Sequence, residues 1–151
     1  MPKLHKILVP VDYSESSRIA LEYAVFLGGK VGALVRALHV LEVPPHVGKN
    51  TIVKTNHGEQ KLSEMLRDEA VSNSEKFVAE FAPAAGKLEC ELVEGHPAKT
   101  ILKVADEQGF DMIVMGTHGR TGLARLIMGS VAEQVVRTAK CPVVTVCKPE
   151  E

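Results

Sequence analysis

Five short apolar runs, separated by segments with helical spacing, constrain this chain more than any other feature. The runs are KILVPV (Lys6–Val11), ALVRALHVL (Ala33–Leu41), KLECELV (Lys87–Val93), DMIVM (Asp111–Met115) and PVVTV (Pro142–Val146). Compact apolar runs of this length suit strands buried between two layers. KLECELV alternates apolar and charged residues, as a strand nearer a sheet edge does. Between the runs, Ile19, Ala20, Tyr23, Ala24 and Leu27 recur at helical spacing, and so do Leu62, Met65, Leu66, Ala70, Phe77, Val78 and Phe81. Pro97 opens a further helix with Ile101, Leu102, Val104 and Ala105 on its apolar side, and VAEQVVRTA (Val131–Ala139) supplies the last. Strand and helix alternate along the chain, which calls for a mostly parallel sheet with helices on both faces.

The punctuation agrees with this order. Asp12-Tyr-Ser-Glu-Ser signals a helix start at which Asp12 or Ser14 can cap. Gly28-Gly29 is the expected end of that helix. Residues 42–58, with Pro44, Pro45, Gly48 and Asn56-His-Gly, read as one long irregular segment. The expected fold is a Rossmann-like open sheet of five mostly parallel strands with helices on both faces. The alternation does not itself dictate strand order. An order of 3-2-1-4-5 would put the reversal between the first and fourth strands, where ligands of such sheets bind beyond the carboxyl ends. Asp12 and the segment after Met115 would then share one crevice.

That segment, GTHGRTGLARLIMGS (Gly116–Ser130), runs from a strand to a helix. Three of its glycines are spaced G-x2-G-x9-G, and Ser130 follows the last. From Met112 to Ala132 there is no acidic residue, while His118, Arg120 and Arg125 all lie inside. Glycines that open the backbone, a helix N-terminus and only basic charge suit a bound anion, and at this junction a nucleotide phosphate. Gly116 and Gly119 would let amides approach phosphate oxygens with no Cβ in the way. Ser130 can donate to a phosphate, or cap its helix with Glu133 as reciprocal partner. The P-loop pattern and the G-x-G-x-x-G fingerprint are both absent.

Composition removes other classes. With 151 residues, 45% hydrophobic and 25% charged, the chain can fill a core and is expected to form one domain over 1–151. A net charge of −1 argues against a nucleic-acid footprint. No stretch approaches the roughly 18–20 apolar residues of a membrane span, so no membrane insertion is expected. The N-terminal apolar run reads as a first strand rather than a signal peptide. Cys90, Cys141 and Cys147 form no C-x-x-C pair, which fits reduced thiols in a cytoplasmic protein. The histidines His39, His46, His57 and His96 are too scattered for a metal cluster.

In its KILVPVDYS opening, the HV ending the second run, MGTHGRTG, the GS helix start and the closing CPVVTV, the chain resembles the universal stress protein family, in its ATP-binding branch. That branch carries G-x2-G-x9-G-[ST], which Gly116, Gly119, Gly129 and Ser130 match without a gap. The resemblance implies ATP as ligand, with Mg²⁺ or Mn²⁺ bound through the phosphates, and AMP or another adenine nucleotide as a possible occupant of the same loop. It implies Pro10, Val11 and Asp12 along the ribose and adenine side, with the Val40 main chain at the adenine edge. Met115 and Gly116 would flank base and sugar, and Thr117 and His118 continue the loop. Gly119, Arg120, Gly129, Ser130 and Val131 would hold phosphates. Asp12 is also explained as a helix cap, Val40 as a buried strand residue, and Arg120 and Arg125 as solvated loop residues. His118 reads as a loop histidine before it reads as a base.

The function so implied is an ATP-binding stress-response regulator that modulates an unknown protein partner. The resemblance also implies a homodimer, which the edge strand 142–146 would form. Slow ATP hydrolysis, or an interaction module without nucleotide, are the alternatives.

Overall fold

The structure, a computed structural model, describes residues 2–82, 86–118 and 128–148. In chain order its elements are β1 (Lys6–Pro10), α1 (Glu15–Val31), β2 (Leu34–Leu41), β3 (Ile52–Thr55), β4 (Gly58–Lys61), α2 (Leu62–Ala79), β5 (Leu88–Glu94), α3 (Pro97–Glu107), β6 (Met112–Gly116), α4 (Ser130–Thr138) and β7 (Val143–Val146). Five strands form one sheet in the order β5-β2-β1-β6-β7, with every pairing parallel. Counting the five predicted strands along the chain, this is the 3-2-1-4-5 order.

The two-residue period of β1 explains the layers. Ile7, Leu8 and Val9 are all fully buried. Ile7 and Val9 join Ala20, Leu21 and Ala24 of α1 and Phe77 of α2 in one core. Leu8 points the other way and joins Ile101 and Val104 of α3 and Val135 of α4. A strand that alternates between two dry layers has no place for a polar side chain, hence the unbroken apolar run.

Several local expectations need correction. Helix α1 does not stop at Gly28-Gly29 but runs to Val31 and ends at Gly32, whose φ is 73°. Gly28 serves packing instead, because a Cβ there would lie 2.7 Å from Val35 Cγ2. Tyr23 is 44% exposed, and Leu21 and Val25 are buried in its stead. Of the two proposed α1 caps, Ser14 is the one: its Oγ accepts the Ser17 N–H at 3.2 Å, while Asp12 Oδ1 accepts the N–H of Ser14 itself at 3.0 Å, outside the helix. Residues 42–58 are not wholly irregular, since β3 and β4 pair as an antiparallel hairpin closed over Asn56-His57. Helix α2 follows that hairpin directly, and its Leu62 N–H donates to the Thr51 carbonyl at 2.8 Å. Ser130 is not a cap but the first residue of α4, after Gly129 as N-cap with no side-chain bond. Its expected partner Glu133 instead pairs with Arg137 at 2.9 Å. Among the described residues, no helix is long and apolar enough to cross a membrane.

Candidate functional site

Strand order reverses between β1 and β6, and helices leave the sheet there in opposite directions. The gap they leave is a cavity of about 620 Å³ at the carboxyl ends of the strands. Pro10, Val11 and Asp12 line it from the end of β1, and Val40 from β2. Met115, Gly116, Thr117 and His118 line it from β6 and the residues after. Gly129, Ser130 and Val131 close the far side at the start of α4. Gly119 and Arg120, and Arg125 with them, lie outside the described residues.

The ladder shows which backbone groups face this cavity. Val11 N–H donates to the Leu38 carbonyl at 2.9 Å, and Gly95 N–H to the Leu41 carbonyl at 3.0 Å. In a parallel sheet alternate residues bond to alternate neighbours. Leu38 and Val40 therefore face the β1 side, and Leu41 faces β5. Strand β1 ends at Pro10, so the amide and carbonyl of Val40 look past its end into the cavity. On the other side, Ile113 and Thr117 donate to the Pro142 and Val146 carbonyls at 3.0 and 3.3 Å, which turns the peptide groups of Gly116 toward β1.

The glycines differ in what they do. A Cβ on Gly116 would lie 2.2 Å from Ser16 Oγ and 2.8 Å from the Ser16 carbonyl carbon. The first turn of α1 sits against that glycine, so close helix packing already requires it. Gly129 has φ −59° and ψ 152°, which any residue can adopt. Its lack of a side chain is therefore not a backbone need. What it leaves is room beside Ser130, Val131 and Ala132, whose first-turn amides have no carbonyl one turn back. The dipole of α4 favours negative charge at the same place.

Charge is distributed unequally around the walls. Asp12, Glu42 and Glu69 line the cavity on the side of β1, β2 and α2. The lining residues from Met115 to Ala132 include no acid. His118 Nδ1 lies 2.9 Å from Thr117 Oγ1, which fixes the ring beside the β6 end. Among the described residues, no group of three or more His, Cys, Asp or Glu side chains is placed to hold a metal ion.

The cavity wall also holds residues that the sequence reading did not assign to the site, His39, Tyr13 and a face of α2 among them. His39 is 8% exposed, and its Nδ1 lies 2.9 Å from the Val11 carbonyl oxygen. A carbonyl only accepts, so Nδ1 carries the proton. Tyr13 has φ 65°, in the left-handed region, and its ring stacks on His39 with centroids 4.7 Å apart. Helix α2 contributes Leu66, Glu69, Ala70 and Asn73, at the spacing of one helical face. No local pattern marks Tyr13, because the left-handed region normally selects Gly or Asn. His39 occupies a buried strand position, where its residue type was the only available signal.

Comparison with known proteins places the chain. The sequence model described as the universal stress protein family matches residues 3–146. Universal stress protein MJ0531 of Methanocaldococcus jannaschii is 38% identical over 147 residues, covering 97% of this chain and 84% of its own. Universal stress protein MJ0577 of the same organism is 32% identical over 152 residues, covering 93% of each. The solved structure of MJ0577 superposes with a TM-score of 0.79 at 30% identity, over 99% of this chain and 100% of that one. A universal stress protein solved in complex with cAMP shares the fold at 20% identity, with a TM-score of 0.71 over 97% of this chain and 98% of that one. One from Archaeoglobus fulgidus, solved in complex with dAMP, does so at 22% identity, with a TM-score of 0.66 over 96% and 98%.

Proposed function

The chain belongs to the universal stress protein family, and on that premise we propose that it is an ATP-binding regulator whose nucleotide occupancy sets the conformation a protein partner meets. One observation carries the reading. The cavity at the reversal of strand order presents exposed main-chain groups at both ends, with room between them for a nucleotide. Two proteins of this fold were solved with adenine nucleotides, cAMP and dAMP.

In the proposed pose the adenine edge meets the main chain of Val40, beside Pro10 and Val11. Asp12 accepts from the ribose hydroxyls. Met115 and Gly116 flank base and sugar, with Thr117 and His118 beyond them. The phosphates rest on Gly129, Ser130 and Val131, with Gly119 and Arg120 completing the cradle. The acid-free wall suits the phosphates, and the carboxylate-bearing wall suits the hydroxyl and amino groups that donate. Mg²⁺ or Mn²⁺ accompanies ATP through the phosphate oxygens.

ATP changes the conformational balance only by binding one state better than another. Hydrolysis would need a positioned water and added charge stabilisation. Turnover is therefore expected to stay below about 1 s⁻¹, the low end of the usual enzyme range. Residues 1–151 act as one nucleotide-binding domain in the cytoplasm and pair as a homodimer through β7, whose outer edge has no neighbouring strand among the described residues.

The test is direct. Protein purified from its host is denatured, and the released small molecules are identified by mass. An adenine nucleotide is expected in near-stoichiometric amount, or ATP binding on addition. Absence of both would leave the interaction-module reading in its place.

A further inference from the structure

The left-handed backbone of Tyr13 calls for an explanation, because a bulky residue rarely adopts φ 65°. Such a conformation persists only where surrounding contacts over-determine it. Here they come from three directions. The Tyr13 hydroxyl shares a 2.5 Å hydrogen bond with Ser74 Oγ of α2, and Ser74 is 1% exposed. The ring stacks on His39 of β2 and meets Phe77 of α2 edge-on, with centroids 5.4 Å apart. His39 in turn donates to the carbonyl of Val11, at the end of β1.

Tyr13 therefore joins the turn after β1, the end of β2 and the middle of α2. Tyr13, His39 and Ala70 also line the cavity. Helix α2 continues without a break from β4, and Leu62 ties its start to Thr51 at the base of the hairpin. The hairpin contributes no residue to the cavity wall, yet it carries Ile52 with 60% of its surface exposed.

We propose that Tyr13 is a positioning residue that holds α2 against the base end of the nucleotide cavity, so that occupancy is transmitted through α2 to the β3–β4 hairpin. This deepens the nucleotide-binding reading and rests on it. A ligand seated against Val11 and Val40 fixes the turn that carries Tyr13. The Tyr13–Ser74 bond then limits the motion of α2, and the start of α2 limits the hairpin. Cutting the link at the hydroxyl leaves the phosphate end of the cavity, at α4, as it was.

The test uses the full chain with Tyr13→Phe and Ser74→Ala, and Tyr23→Phe on the exposed face of α1 as control. ATP affinity is measured by calorimetry, and amide exchange is followed with and without saturating ATP. Tyr13→Phe loses the hydroxyl's bonds to Ser74 Oγ and to the Ala70 carbonyl, 3.4 Å away, while Ser74→Ala loses only the first; each is expected to weaken ATP binding by about three- to tenfold. ATP should still protect the amides of 130–132 in both variants. Its protection of 70–77 and of the hairpin 52–61 should fall at least threefold relative to the native chain and to Tyr23→Phe. Native affinity together with native protection of α2 and the hairpin would overturn the proposal. So would a uniform loss of protection across the sheet, which a purely structural role predicts. If the native chain binds no adenine nucleotide, the site reading fails first and the positioning role with it.

Discussion

At Gly116 and Gly129 the same residue type answers two different demands. Gly116→Ala would place a methyl group 2.2 Å from Ser16 Oγ and 2.8 Å from the Ser16 backbone. The backbone contact cannot be relieved by a rotamer change, so the substitution is expected to cost about 1–3 kcal/mol. A thermal melt reads that cost, and adding Ser16→Ala should recover only part of it. Gly129→Val brings no backbone strain, because φ −59° and ψ 152° suit a branched residue. It is expected to leave stability within about 0.5 kcal/mol of native while sharply weakening ATP binding. Both glycines stand in one motif and look alike in the sequence. Only the contact between Gly116 and the first turn of α1, made by residues distant in the chain, separates packing from binding. Tyr13 shows the same limit: its backbone conformation depends on Ser74 and His39, which no nearby residue announces.

Among the elements, β7 carries the proposed dimer. Pro142 and Val146 accept from β6, so residues 143 and 145 turn their peptide groups to the open edge. Thr145→Pro removes an edge donor without removing a bond to β6. The variant is expected to fold and sediment as a monomer where the native chain sediments as a dimer. At the amino ends of the strands, Asp111 ties the start of β6 to β1. Its carboxylate accepts the N–H groups of His5 and Lys6, each at 2.9 Å. These bonds, that from His5 foremost, hold the carboxyl below its ordinary range. A lowered folded value means stability present above the ordinary carboxylate value near 4 and lost as pH falls through the lowered one. Asp111→Asn is therefore expected to lower the melting temperature at pH 7 and to flatten its fall below about pH 4. The apolar runs of the main sheet were legible because burial on two faces leaves a compact signal. The β3–β4 hairpin was not, since strands of four residues, with β4 exposed throughout, carry no core face to betray them.

For the molecule as a whole, a mostly parallel sheet follows from the alternation of strand and helix, and the cavity follows from a strand order that the alternation leaves open. The first of these could be taken from the sequence because it rests on periodicities within single elements. The walls supplied by α2 could not, because they depend on how a helix lies across the end of the sheet. Nucleotide that binds only the folded state raises stability by mass action, about 2.7 kcal/mol at a hundredfold excess over the dissociation constant. For a chain of this size that corresponds to a rise in melting temperature of roughly 5–10 °C. Mg²⁺ without nucleotide should produce no comparable shift, as the described residues offer no metal cluster of their own.

The most direct measurement is calorimetric titration of Mg²⁺–ATP into the native chain and into Gly129→Val, with both shown to be folded. Saturable binding of one nucleotide per chain, lost or strongly weakened in Gly129→Val, is the expected result. No binding to the native chain, or equal binding to both, would contradict a triphosphate held by the open amides at the start of α4.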